Sequence, residues 1–137
     1  MFSEFNSRLE GVGEVDNHWA DVGMSEAANL LDQFSESDWA QLKNAIPLRP
    51  KLWLVACAEV LGDAPPSHAA AFLMDMVRTT DHDDVKVTAL DALRSLAPGE
   101  FDFHSVASEL RAVIAELRPR AGVVDTIVLD LVEQRLG

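Results

Sequence analysis

Residues 79–96 read TTDHDDVKVTALDALRSL. Val85, Ala89, Ala92, Leu93 and Leu96 recur at i, i+4, i+7, i+8 and i+11, which is one continuous apolar stripe on an α-helix. In front of the stripe stand Asp81, His82, Asp83 and Asp84. They are either a metal or catalytic cluster or the start signal of the helix. Adjacent residues in a tight turn cannot all point at one ion, and no spaced His-x-x-x-His partner is visible. Asp81 or Asp83, by contrast, suits the free N–H groups of a first helical turn, where the helix dipole favours negative charge. The spacing predicts a helix over 83–97 with an aspartate as its cap, no metal site, and two small residues, Ala89 and Ala92, that let a neighbouring helix approach.

The same period governs the rest of the chain. No segment alternates apolar and polar residues over strand length between turn signals. MSEAANLLDQF at 24–34 sets Ala27, Leu30, Leu31 and Phe34 on one face. SESDWAQLKNAI offers Ser35 or Ser37 as N-cap, with Trp39, Leu42 and Ile46 behind. Pro47 and Pro50 then break the chain, and the next helix runs to Gly62, a natural C-terminal stop. Ser67 can cap the following helix. Three helical pairs result: 37–46 with 50–62, 67–79 with 83–97, and 104–118 with 122–136. The last helix, VVDTIVLDLVEQRL, is apolar around most of its circumference and is expected to be well buried. Residues 1–22 read as an N-terminal arm, with Trp19 as its anchor. The expected fold is all-α: about seven helices in one domain spanning 1–137, built as a stack of antiparallel hairpins.

DDVKVTALDALRSL resembles the second helix of a HEAT repeat: an aspartate at Asp83, valine with a basic residue at Val85-Lys86, spaced alanines at Ala89 and Ala92, then Leu93 and Leu96. RPKLWLVACAEVLG is similar more loosely, through Ala56, Ala58, Leu61 and Gly62, and 122–136 lacks the alanines. The resemblance covers one repeat well. It implies architecture and no chemistry.

The formal net charge of the 137-residue chain is −12. That argues against nucleic-acid phosphate and anionic membranes as ligands and suits a basic protein partner, which an acidic face attracts and steers. Residues 1–48 hold nine acidic and two basic residues, so the N-terminal third carries the denser negative field. Asp16, Asp21, Glu36 and Asp38 there, with Asp84 and Asp91 facing away from the stripe on 83–97, are the candidate partner-binding residues. Cys57 is the single cysteine; it excludes an internal disulfide and reads as a buried small hydrophobe. With no basic, apolar leader at the N-terminus and no apolar run near 20 residues, a reducing, cytoplasmic setting fits.

His18, His68, His82 and His104 are scattered, and no phosphate-cradling glycine loop exists. No catalytic residue, cofactor or metal is expected. Small, acidic helical proteins of this kind look like polymorphic-toxin immunity proteins. The block SDWAQLKNAIPLRPKLWLVACAEVLGD resembles helical immunity proteins through Trp39, Arg49-Pro50, Trp53 and Leu61-Gly62. The resemblance implies a protein that occludes a basic, nuclease-type toxin. The alternative is a HEAT-like adaptor or regulatory subunit without a toxin partner; a third reading, an enzyme, requires a convergent polar site in a pocket. Exposed apolar positions on the terminal helices can support self-association.

Overall fold

The computed structural model describes residues 1–11, 23–63, 66–96 and 101–136, without the side chains of residues 66 and 67. The fold is all-α. Eight helices are present among the described residues: α1 (Phe2–Glu10), α2 (Met24–Asp32), α3 (Glu36–Ala45), α4 (Lys51–Leu61), α5 (Pro66–Thr79), α6 (Asp83–Ser95), α7 (Phe103–Leu117) and α8 (Val123–Leu136). Short 3-10 turns follow α3 and α7, at Ile46–Leu48 and Arg118–Arg120. The six helices expected in pairs lie within two residues of where the apolar spacing put them; α5/α6 and α7/α8 pack as pairs, whereas α3 packs on α1 rather than on α4.

Even-numbered helices form a row in which α2 packs on α4, α4 on α6 and α6 on α8, while α1, α5 and α7 pack against the next helix in sequence. The helix that decides the fold, α6, sits in the middle of this row. Val85, Ala89, Leu90 and Leu93 are fully buried there, and Ala92 and Leu96 nearly so. Burying one such leucine stabilises the fold by roughly 1.5–3 kcal/mol. Gly62 shows how closely α4 and α6 approach. Its backbone is ordinary right-handed helix (φ −61°, ψ −24°), so it is not needed as a left-handed cap. A Cβ at this position lies 3.3 Å from the Ala92 Cβ and 3.2 Å from Ser95 Oγ. Glycine is there for helix–helix contact, against one of the small residues the stripe supplies. Cys57, on the same helix, is fully buried, and burial pushes its thiol pKa up.

Around α1–α4 the core is aromatic. The Phe5 ring meets Phe34 edge-on at 5.5 Å and Trp53 at 6.3 Å; Phe34 meets Trp39 at 5.0 Å. Trp39 in turn touches Phe72 of α5 at 5.4 Å and stacks flat on His68 at 4.4 Å. Trp39 and Trp53 are thus core anchors as expected; Trp19 lies outside the described residues. One polar contact links three elements: Asn6 Oδ1 accepts from Trp53 Nε1 (3.1 Å) and from Arg49 Nε (3.2 Å). Within the segment expected as an arm, residues 2–10 are helical, and Phe5 and Leu9 enter the shared core.

Two expectations are corrected. The cap of α6 is His82, with no side-chain hydrogen bond to the helix start. Asp83 lies one residue inside the helix and instead accepts from both Nε and a terminal nitrogen of Arg120, at 2.8 and 3.2 Å, a bidentate pair with a full cation. Helix α8 is less buried than its composition implies. Leu129, Val132 and Leu136 face the core, but Val123 (81 % exposed), Val124 (72 %) and Ile127 (55 %) face solvent. Among the described residues α8 packs on α6 and α7, and its first turn, Val123 and Val124, lies outside both contacts.

Candidate partner-binding surface

The six acidic candidates do not form one row. Asp16 and Asp21 lie outside the described residues. Glu36 and Asp38 occupy the first turn of α3, where the helix dipole favours both, but their roles differ. Asp38 closes a capping box: Ser35 Oγ accepts from Asp38 N at 3.2 Å, and Asp38 Oδ2 accepts from Ser35 N at 3.0 Å. Its other oxygen accepts from Phe2 N at 3.1 Å, which ties the start of α1 to the start of α3. These backbone donors, Ser35 first and Phe2 second, hold the Asp38 carboxyl below the ordinary aspartate range. Asp38 is thus occupied by the fold. Glu36 is not: its side chain is 91 % exposed, with His68 Nε2 3.5 Å away.

On α6, Asp84 and Asp91 point outward seven residues apart, on the same side of the helix. Asp84 meets Lys51 Nζ of α4 at 2.8 Å, and Asp91 meets Arg94 at 2.6 Å. Both carboxylates are partly neutralised before any partner arrives. The turn between α5 and α6 is rich in charge. Lys51, Arg120, Asp83 and Asp84 interlock there with Asp81 and His82 around an open depression. Arg120 holds Asp83 at 2.8 and 3.2 Å, and this bond keeps the Asp83 carboxyl below its usual range. Among the described residues no group of three or more His, Cys, Asp or Glu can hold a metal ion.

Beside this turn a cleft of about 200 Å³ opens over Ile46, Leu54, Met76 and Val85, with Arg49, Thr80 and Asp81 at its edge. A shallower depression continues past Arg49 over Leu52 and Trp53. The segment 46–54 borders both. Leu48 there is 78 % exposed and Leu52 38 %. Neither leucine was singled out by the sequence reading, yet PLRP contains a signal: a leucine between two prolines belongs to no apolar helical face.

Charge is divided unevenly. Six of the described acids lie on α1–α3, and only Arg8 and Lys43 are basic there. Arg8 pairs with Glu26. Glu4 and Asp32 are exposed and form no ion pair among the described residues, and Glu10 accepts from Asn6 Nδ2 at 2.9 Å. From α5 onward most cations are matched. Arg78 grips Glu109 with two bonds of 2.7 and 2.9 Å, and Arg118 bridges Asp130 (2.9 Å) and Glu133 (3.1 Å). No family model, curated protein or solved structure matches this chain.

Proposed function

We propose that this chain is an immunity-type binding protein: it sequesters a basic, nuclease-type toxin domain in the cytoplasm and blocks its cleft, with no covalent chemistry of its own. The observation that carries the reading is the unbalanced acidic end formed by α1–α3. Glu4 and Asp32 there form no ion pair among the described residues, and exposed Glu36 meets His68 Nε2 at 3.5 Å. Such a field attracts a basic surface over about a Debye length, ~10 Å at 0.1 M salt, and raises the association rate. Exposed Leu48 and Leu52 sit on the neighbouring turn as apolar anchors, the kind of contact that slows dissociation once the partner is seated. Two independently placed features, one steering and one anchoring, fit a tight inhibitor better than a solvated acidic surface does.

A HEAT-like adaptor with weaker, exchanging partners is the second reading. What favours it is the uninterrupted row α2–α4–α6–α8, which offers successive second helices as a platform. Affinity capture from source-cell lysate at low and high salt separates the two. The immunity reading expects one stoichiometric basic protein whose toxic activity the chain suppresses. Reversing Glu4, Asp32 and Glu36 to lysine should slow its association at least tenfold at low salt, leaving the fold intact. Capture of several weak partners, or a captured protein whose activity persists in the complex, sinks the immunity reading.

A further inference from the structure

Arg49 differs from the other arginines of this acidic chain. Arg8, Arg78, Arg94, Arg118 and Arg120 each hold a carboxylate, and Arg135 donates to two backbone carbonyls. Arg49 forms no ion pair among the described residues, yet it is fixed in place. Residue 49 precedes Pro50, which confines it to extended backbone (φ −97°, ψ 151°), and its N–H closes the 3-10 turn on Ile46 O. Nε donates to Asn6 Oδ1 at 3.2 Å, and the guanidinium lies over the Trp53 ring at 5.4 Å. Trp53 and Asn6 are joined to each other by a 3.1 Å bond, so both supports of the guanidinium are themselves braced. Its two terminal nitrogens hold no hydrogen bond among the described residues. A donor pair fixed in this way loses little freedom when a ligand arrives.

The surroundings say what that ligand carries. Arg49 borders the open depression of about 630 Å³ that runs over Leu9, Leu48, Leu52 and Trp53. Two other charged residues line it. Lys51 is engaged by Asp84, and Glu10 accepts from Asn6 Nδ2, so Arg49 is the charge left over. Two parallel N–H donors fit the two oxygens of a carboxylate, and exposed Leu48 and Leu52 fit aliphatic side chains beside it. We propose that Arg49 is the docking point for one acidic residue of the protein partner, a glutamate or aspartate flanked by aliphatic residues that cover Leu48 and Leu52. Resting on the reading of the chain as a binding protein, this docking point divides the work of recognition. The acids of α1–α3 attract any basic surface, whereas Arg49 accepts one acid at one place. A basic protein without that acid would bury Arg49 unpaired, which counts against it and selects the cognate partner.

Capped peptides test this without the partner. Acetyl-Leu-Glu-Leu-amide, its glutamine counterpart and its lysine counterpart are each titrated into the isotope-labelled full chain, with the Arg49 Nε–H and Trp53 Nε1–H resonances as readout. The glutamate peptide should shift both resonances saturably and bind about tenfold more tightly than the glutamine peptide, and the lysine peptide should shift neither. Arg49→Lys keeps the charge but loses the planar fork, and should remove most of the advantage of glutamate over glutamine, read at Trp53. Leu48→Ala should weaken the glutamate and glutamine peptides by the same factor, because it removes contact area and no charge. Circular dichroism establishes that both variants are folded. Equal binding of the glutamate and glutamine peptides, or no saturable shift from either, overturns the proposal. So does isocaproate binding as tightly as the glutamate peptide, which would make this a site for a free carboxylic acid. Neither result touches the immunity reading, which fails separately if affinity capture finds no partner that the chain inhibits.

Discussion

The two ends of this molecule reach stability by different means. The end built from α1–α4 is held by aromatic rings meeting edge to edge, by one amide, Asn6, that serves two donors, and by backbone bonds to Asp38. Two of its described surface acids, Glu4 and Asp32, form no ion pair among the described residues. The end built from α5–α8 has a mainly aliphatic core, with Phe103 edge-on to Phe101 at 4.7 Å, and most of its described cations are matched in place. Even its helix ends use cations: Arg135 donates to Arg94 O at 2.8 Å, and Arg111 donates to Leu136 O at 3.3 Å. The lesson is that net charge alone does not say where a protein can attract a partner. Among the described residues from α5 onward most acids lie in ion pairs, whereas Glu4 on α1 and Asp32 on α2 do not.

The largest test of the aromatic end is Phe5→Ala. The ring is fully buried between Phe34 and Trp53, and its removal should cost about 3–5 kcal/mol in urea unfolding. If the loss is under 1 kcal/mol, α1 is an appendage and the first end has no structural unity. Next comes Gly62→Ala, at the contact between the two halves. The added methyl meets Ala92 and Ser95 closer than ordinary contact, so α4 and α6 must part by a few tenths of an ångström. Against a helix-propensity gain of up to ~1 kcal/mol, overpacking of roughly 1–3 kcal/mol should win and leave a net loss. A stabilised variant would show that the joint is slack.

Much of this arrangement was legible because apolar spacing is a local signal. Seven of the helices, α2–α8, announce themselves by their apolar residues, and α6 does so through a stripe whose every member is buried. α1 was legible too, since Phe2, Phe5 and Leu9 stand at i, i+3 and i+7; the polar residues between them and the glycines that follow made the segment read as an arm. What could not be read depends on distant partners. Asp83 abandons the cap because Arg120 arrives from 37 residues away. Lys51 reaches Asp84 from the preceding pair. Asp38, counted as a partner-binding carboxylate, is taken by a backbone N–H at Phe2. The apolar residues of α8 were visible in the composition, but which of them α6 and α7 cover depends on tertiary packing, which no local pattern records.

Ser35→Ala is a smaller probe. It removes one half of the capping box and should cost about 1 kcal/mol, seen in the same urea titration. The smallest effect concerns acid. Asp38, Asp83 and Glu109 all have carboxyls held below their ordinary values, the first by backbone N–H groups, the second by Arg120 and the third by Arg78. A carboxyl whose folded value lies below its unfolded value stabilises the fold fully above the unfolded value and ceases to do so as pH falls through the folded one. Stability should therefore be level above about pH 5 and fall below about pH 4. Salt separates the two ends within that window. The Arg–carboxylate pairs on α5–α8 are exposed and should lose most of their contribution in 1 M salt, where the Debye length is about 3 Å. The backbone bonds to Asp38 are short-ranged and should persist. Asp38→Asn should thus flatten the acid limb at both low and high salt, and Glu109→Gln only at low salt. If salt abolishes both effects alike, the contrast between a backbone-held carboxylate at one end and screened pairs at the other does not exist.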